Sequence, residues 1–164
     1  MEIRRGGRED LPFLEAMLFE AFFWDPVAPR PPFAAFRESA EFRKLLAGWG
    51  RPGDVALLAE DGAGRLGAAW FRLWTPEHHS HGFVDEATPE LALGVAPSAR
   101  RKGVARALLR ALAAAARDAG HPALSLSVAP ENVARGLYES EGFRKVGESG
   151  SSWTLRRALR APAP

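Results

Sequence analysis

The sequence predicts a mixed α/β (α+β) fold, and three observations carry that expectation. Hydrophobic spacing begins at three to four residues near the N-terminus, shortens to two in the middle of the chain, and lengthens again from residue 104. Glycine- and proline-rich stretches punctuate these changes of period. The 164 residues, 46% hydrophobic and 26% charged, suffice for a folded chain with a substantial core. A single domain is expected over residues 1–160, with Ala161-Pro162-Ala163-Pro164 as a frayed tail.

Glu2 to Arg5 reads as a short edge strand before Gly6-Gly7. From Glu9, Leu11, Leu14, Leu18 and Phe22 recur at helical spacing, and Pro12 occupies the first turn, where its missing N–H costs nothing. That helix is expected to end near Trp24. A second helix is expected over Phe33 to Ala47, with Phe36, Ala40 and Leu45 or Leu46 inward, closed by Gly48 or Gly50. Val55 to Ala59 and Leu66 to Trp74 read as strands joined by the hairpin sequence Glu60-Asp61-Gly62-Ala63-Gly64.

The Thr75–Thr88 loop carries three of the four histidines, and strand spacing follows at Leu91, Leu93 and Val95. Val104, Leu108, Leu112, Ala115 and Ala119 return to helical spacing, with Gly120 as the stop. Leu124 to Val128 forms a strand and Glu131 to Glu141 a short helix. Phe143 to Val146 and Ser152 to Leu155 form a last hairpin. Strand, helix and strand around the Val104 segment imply one parallel crossover.

Composition removes several functions. The chain has no cysteine, which excludes disulfides, thiolate metal sites and a cysteine nucleophile. A net charge of +2, with no basic and aromatic residues interleaved on a strand platform, gives no case for nucleic acid as partner. No apolar run reaches the roughly 18–20 residues of a membrane span. The N-terminus has no apolar signal core, so a cytoplasmic location and no membrane partner are expected. His78-His79-Ser80-His81 lacks further metal-type ligands, and no metal is expected there.

The chemistry concentrates at Arg100-Arg101-Lys102-Gly103-Val104-Ala105 and Arg106. A helix start presents unpaired N–H groups and a positive dipole end, and cations there are unfavourable unless an anion joins them. Small residues at 103 and 105 keep the backbone approachable. The segment therefore reads as a phosphate or pyrophosphate site. It is neither a Walker A loop nor the three-glycine dinucleotide fingerprint.

Arg100-x-x-Gly103-x-Ala105 after the strand Leu91-Ala92-Leu93-Gly94-Val95 resembles the acyl-CoA signature of the GNAT superfamily of N-acetyltransferases. Asn132-Val133-Ala134-Arg135-Gly136-Leu137-Tyr138-Glu139-Ser140-Glu141-Gly142-Phe143 is similar to the same superfamily's C-terminal motif. The resemblance implies a mixed, mostly antiparallel six- to seven-stranded sheet flanked by about four helices, and acetyl-CoA as co-substrate. It implies that the backbone of Leu93, Gly94 and Val95 pairs with the pantetheine arm, and that Arg100 to Ala105 with Arg106 holds the pyrophosphate. Asn132 contacts the cofactor or holds the C-terminal helix. Tyr138, the sole tyrosine, lies near the thioester sulfur, where a phenol protonated at neutral pH can serve as general acid.

Attack on a thioester also needs a base, and superfamily members often draw it from a carboxylate on a central strand. The strand before Asn132 offers only Ser125 and Ser127. Glu90 is the first candidate, with Glu86, Asp85 and the histidines of the 78–81 loop as alternatives. The aromatics Phe22, Phe23, Trp24, Phe33, Phe36 and Trp49 are expected to pack in the core. Some of them, with Glu20 or Asp25, also suit an acceptor amine. The acceptor is a small amine or a peptide, with N-terminal or lysine acetylation of a protein as the alternative and an acyl-CoA sensor as the non-catalytic one. Tyr138 favours catalysis, and a homodimer is compatible with the sequence.

Overall fold

Alternation of side chains along the strands divides the interior into two cores, one on each face of a seven-stranded sheet. The computed structural model describes residues 1–160. The expected frayed tail at 161–164 lies outside the described residues. The strands are β1 (Glu2–Arg5), β2 (Val55–Asp61), β3 (Gly64–Arg72), β4 (Glu90–Val95), β5 (Ala123–Val128), β6 (Arg144–Ser149) and β7 (Ser152–Ala158). Their order across the sheet is β1-β2-β3-β4-β5-β7-β6. Every neighbouring pair is antiparallel except β4 and β5.

The crossover between those two strands is α4 (Val104–Asp118). Val104, Leu108, Leu109, Leu112 and Ala116 form its apolar stripe, each 3% exposed or less, against Leu57, Ala59, Phe71 and Leu91. Gly120 (φ 89°) ends the helix: its N–H donates to the Arg117 carbonyl and the His121 N–H to that of Ala116, a paired C-terminal cap. The opposite face, carrying Ala56, Leu58, Ala68 and Trp70, is covered by α1 (Leu11–Phe22), α2 (Phe33–Arg37) and α3 (Ala40–Leu46).

The single helix expected over residues 33–47 is two helices, so the sheet is flanked by five rather than four. Ser39 is extended (φ −67°, ψ 146°) and its hydroxyl accepts the Phe42 N–H at 3.2 Å, which starts α3 anew. A serine that can cap competes with continuation of the preceding helix. Phe36 and Leu46 reach one core as expected, with Phe42 in place of the exposed Ala40. Phe19, Phe22 and Phe23 join it through ring contacts, while Phe33, expected in the core, is exposed and only edges Phe19. The other bounds move by a few residues: α1 ends at Phe22 rather than Trp24, β3 at Arg72, and α5 (Ala134–Ser140) is shorter than expected.

Two contacts hold the site's framework. Helix α1 lies so close to β4 that a Cβ on Gly94 would sit 2.2 Å from the Met17 carbonyl oxygen. Arg72, 2% exposed, donates to Asp54 Oδ1 and Oδ2 at 3.1 and 3.0 Å and to the carbonyls of Leu45 and Ala47 at 3.0 and 2.9 Å. It thereby satisfies the C-terminal end of α3, where a cation also meets the negative end of the helix dipole. Trp49 and Trp74 lie against its guanidinium at 5.3 and 5.6 Å.

Removing one partner of such a buried pair strands the other's charge, which costs roughly 3–5 kcal/mol. Arg72→Ala is therefore expected to lose about that much stability in urea unfolding, and Arg72→Met combined with Asp54→Asn to recover part of it. A loss below about 1 kcal/mol for the single variant would show that the pair is not the anchor of α3.

Candidate active site

Strands β4 and β5 share one register pair, Glu90 with Ser125, beside the Ser125 N–H donated to the Pro89 carbonyl at 3.0 Å. Beyond that point β4 stays bound to β3 and β5 to β7, and the two strands face each other across a fork. The Ala96 N–H donates to the Leu66 carbonyl at 2.8 Å, which fixes the alternation in β4. Residues 90, 92 and 94 direct their backbone groups to β3, while those of Leu93 and Val95 point into the fork. A cavity of about 740 Å³ runs through this opening and is lined by residues from both faces of the sheet.

On the α4 face the cavity meets the loop before the helix. Arg101 (φ 62°) and Gly103 (φ 80°) are both left-handed, and the turn aims the unpaired N–H groups at the start of α4. A Cβ on Gly103 would have no neighbour within 4 Å, so glycine is needed there for its backbone conformation and not for lack of room. The Arg100 Nη2 donates to Glu20 of α1 at 2.9 Å. Arg106 donates to Ser140 at 3.1 Å and is paired with Glu141, the carboxylate that Arg110 also binds. Those hydrogen bonds, from Arg110 first and Arg106 second, hold the Glu141 carboxyl below its usual range. Arg101 and Lys102 make no ion pair among the described residues. All of Leu93 to Val95, and Arg100, Arg101, Gly103, Val104, Ala105 and Arg106, line the cavity; Lys102 does not.

Asn132 Oδ1 accepts the Ala134 N–H at 2.9 Å, so its side chain sets the first turn of α5 while the residue also borders the cavity. Tyr138 follows on the cavity wall, 7% exposed, with its ring against Phe143 at 5.9 Å. Burial pushes its phenol up to about 12, which keeps it protonated at neutral pH.

Glu90 lies on the opposite face of the sheet, 9% exposed. The Thr75–Thr88 loop folds over it: the Gly82 N–H donates to Oε2 at 3.1 Å, and a Cβ on Gly82 would sit 2.6 Å from that oxygen. Oε1 has no hydrogen-bond partner. Burial pushes the carboxyl up to about 7, opposed by the Gly82 N–H, the polar side chains of Ser80 and Trp74, and the charge of Lys44. Thr88 and Ser125 beside it are also buried with unpartnered hydroxyl oxygens.

Of the alternative bases, His81 alone lines the cavity with Glu90. Asp85 and Glu86 are exposed and outside the cavity lining; Asp85 Oδ1 caps the Ala87 N–H. His78 and His79 are exposed as well, and His79 stacks on Phe83 at 4.6 Å. His81 borders the cavity, with Nδ1 at 2.7 Å from the Ser149 hydroxyl and Nε2 at 3.8 Å from Glu41. No cluster of metal-type ligands occurs among the described residues, and no helix among them is long and apolar enough to cross a membrane. Trp70 and Trp74, which the sequence analysis placed only on a strand, line the cavity near Glu90. Their signal was the two-residue spacing Trp70-Arg72-Trp74, which assigns all three to one face.

The family model described as "Acetyltransferase (GNAT) family" matches residues 16–143. No curated protein matches the chain in sequence. Among solved structures, a ribosomal-protein-alanine N-acetyltransferase from Brucella melitensis is 24% identical, with a TM-score of 0.67 over 97% of this chain and 100% of that one. The PaiA N-acetyltransferase of Thermoplasma acidophilum, solved in complex with coenzyme A, is 20% identical with a TM-score of 0.72, covering 96% and 98%. YncA, a putative acetyltransferase from Salmonella typhimurium solved with acetyl-CoA, is 22% identical with a TM-score of 0.67, covering 100% and 96%. At these identities the structures establish a shared fold. The family model spans both the fork and the loop before α4, and the chain therefore belongs to the GNAT family of acetyltransferases.

Proposed function

We propose that residues 1–160 form one N-acetyltransferase domain that moves the acetyl group of acetyl-CoA to a primary amine by direct attack. The observation that carries this reading is the fork itself, with Glu90 on one face, Tyr138 on the other, and unpaired backbone between them. The cofactor's arm lies along Leu93, Gly94 and Val95 as an added strand, using the N–H and C=O groups that β5 leaves free. Its pyrophosphate sits on the loop Arg100 to Ala105, where the helix N-terminus and the cations Arg101 and Lys102 supply positive charge. Arg100 and Arg106 join them from the margins of the loop, and Asn132 sets the helix that carries Tyr138.

The acceptor arrives as an ammonium ion and must lose a proton before it can attack. Glu90, with one bare oxygen and a carboxyl near neutrality, takes that proton. The C–N bond forms as the carbonyl electrons move to oxygen, and the Val95 N–H stabilises the oxyanion. The carbonyl re-forms as the C–S bond breaks, the thiolate receives the Tyr138 phenolic proton, and the second proton of the attacking nitrogen leaves through solvent and restores the phenol.

A saturating cofactor at about 100 times its Kd adds roughly 2.7 kcal/mol, or a rise in Tm of about 5–10 °C for a chain of this size. Acetyl-CoA and CoA should both give that rise and ATP should not; the absence of any shift with either CoA compound would sink this reading. Tyr138→Phe is expected to lower kcat about 100-fold while the KM for acetyl-CoA holds. An unchanged kcat would remove the tyrosine from the reaction.

In wild type, kcat/KM should rise with pH up to about 7 as Glu90 ionises, and Glu90→Gln should lose both that limb and about 100-fold in rate. The same residue predicts a stability effect of definite sign. A carboxyl raised in the fold from 4.5 to about 7 stabilises the protein below 4.5, and that contribution disappears as pH rises through 7. Glu90→Gln should thus gain up to about 3 kcal/mol over wild type at pH 8 and nothing at pH 4. Equal denaturation midpoints at both values would contradict the burial argument.

A further inference from the structure

The cavity wall on the Glu90 side has an uneven complement of charge. Glu41 and Glu90 face it, and the one basic side chain of the wall that pairs with either is His81, 3.8 Å from Glu41. Arg72 also borders it, but its guanidinium is matched by Asp54 and by two carbonyls at the end of α3. Glu20, at the edge towards the cofactor loop, is taken up by Arg30 and Arg100. Lys44, whose field reaches Glu90, is exposed and not part of the wall. An anionic group entering this compartment would lose water and meet only cations that already have partners, which is heavily penalised.

Beside the hydroxyl of Ser80, the rest of this wall carries large apolar side chains, with Trp70, Trp74, Leu45, Phe22 and Trp24 among them. Trp70 and Trp74 are 3% and 8% exposed, so their orientation is fixed by the core beneath them. Rigid aromatic walls favour a ring or a similar apolar body over a flexible chain bearing charges. The bare Oε1 of Glu90, in a side chain more than nine-tenths buried, needs a hydrogen-bond donor such as an amine nitrogen.

We propose that the acceptor is a primary monoamine on an aromatic or compact apolar body, without a carboxylate or phosphate next to its nitrogen. This rests on the N-acetyltransferase reading above and narrows its acceptor. Free amino acids are disfavoured because their carboxylate finds no unpartnered cation in the wall. Polyamines are disfavoured because only Glu41, exposed at the mouth, is placed to meet a second ammonium.

The test is thiol release from acetyl-CoA with matched acceptors: 2-phenylethylamine, phenylalanine, spermidine and an alanine-initiated hexapeptide. Phenylethylamine and phenylalanine differ only by the carboxylate, and kcat/KM for the former should exceed that for the latter by about 100-fold. It should exceed that of spermidine and of the peptide by about tenfold or more. Glu41→Arg, on the exposed side of the mouth, supplies the missing cation and should narrow the phenylethylamine to phenylalanine ratio at least about tenfold. Phenylalanine, spermidine or the peptide as the preferred acceptor would overturn the proposal, as would a ratio that Glu41→Arg leaves unchanged. A thermal shift with acetyl-CoA but no thiol release from any acceptor would count against the transferase reading instead, and the two failures are separable.

Discussion

The early end of backbone pairing between β4 and β5 is the constraint on which the rest of the structure depends. A parallel pair in a buried sheet normally runs its full length, because each unpaired N–H or C=O shielded from water costs free energy. Here the pairing stops after Glu90 and Ser125, leaving the inner edges of both strands without a protein partner. Such an opening persists because each strand is held from outside: β4 by all six of its register pairs with β3, β5 by six with β7. The cavity, the bare backbone of Leu93 and Val95, and the facing positions of Glu90 and Tyr138 all follow from it.

Charge around the opening is arranged to make a basic helix start tolerable. Four cations cluster where the dipole of α4 already points positive end outward. Glu20 and Glu141 each lie almost buried beside one of them, and each binds a second arginine, Arg30 or Arg110. Glu141 ties α4 to the end of α5, and Glu20 ties the loop to α1. The two unpaired cations, Arg101 and Lys102, are left for whatever anion comes to the loop. Electrostatic repair and anion capture thus use different members of one cluster.

Much of this was legible in the sequence, for reasons tied to particular residues. The start of the α4 stripe at Val104, Leu108 and Leu112 and its Gly120 stop are local signals found where the spacing put them. The last turn instead turns Ala116 inward in place of Ala115 and leaves Ala119 exposed beyond the helix. Ser39 interrupted an expected helix because a capping hydroxyl can outweigh a continuing apolar period, and the spacing of Phe36, Ala40 and Leu46 cannot register that. The fork was invisible, since alternation reports which face a residue occupies and not whether its strand is paired. Glu90 emerged by elimination among carboxylates, but its burial depends on Gly82 of a distant loop, which no local pattern encodes. The clamp of Arg72 on Asp54 went unread for the same reason: an arginine in an apolar strand shows its importance only once its partner is known.

The contact between Gly94 and the Met17 carbonyl has a consequence for how such an enzyme can diversify. Helix α1 carries part of the cavity wall proposed for the acceptor, β4 carries the edge proposed for the cofactor, and no atom separates their backbones at that point. The two elements are therefore one mechanical body. Widening the acceptor compartment by tilting the helix would drag the cofactor edge with it. Change in acceptor preference is channelled into side-chain exchange on the wall, at positions such as Trp24 and Leu45, and into the chain between α1 and α2. A single missing Cβ thus partitions the molecule into a chassis that must stay rigid and a rim that is free to vary.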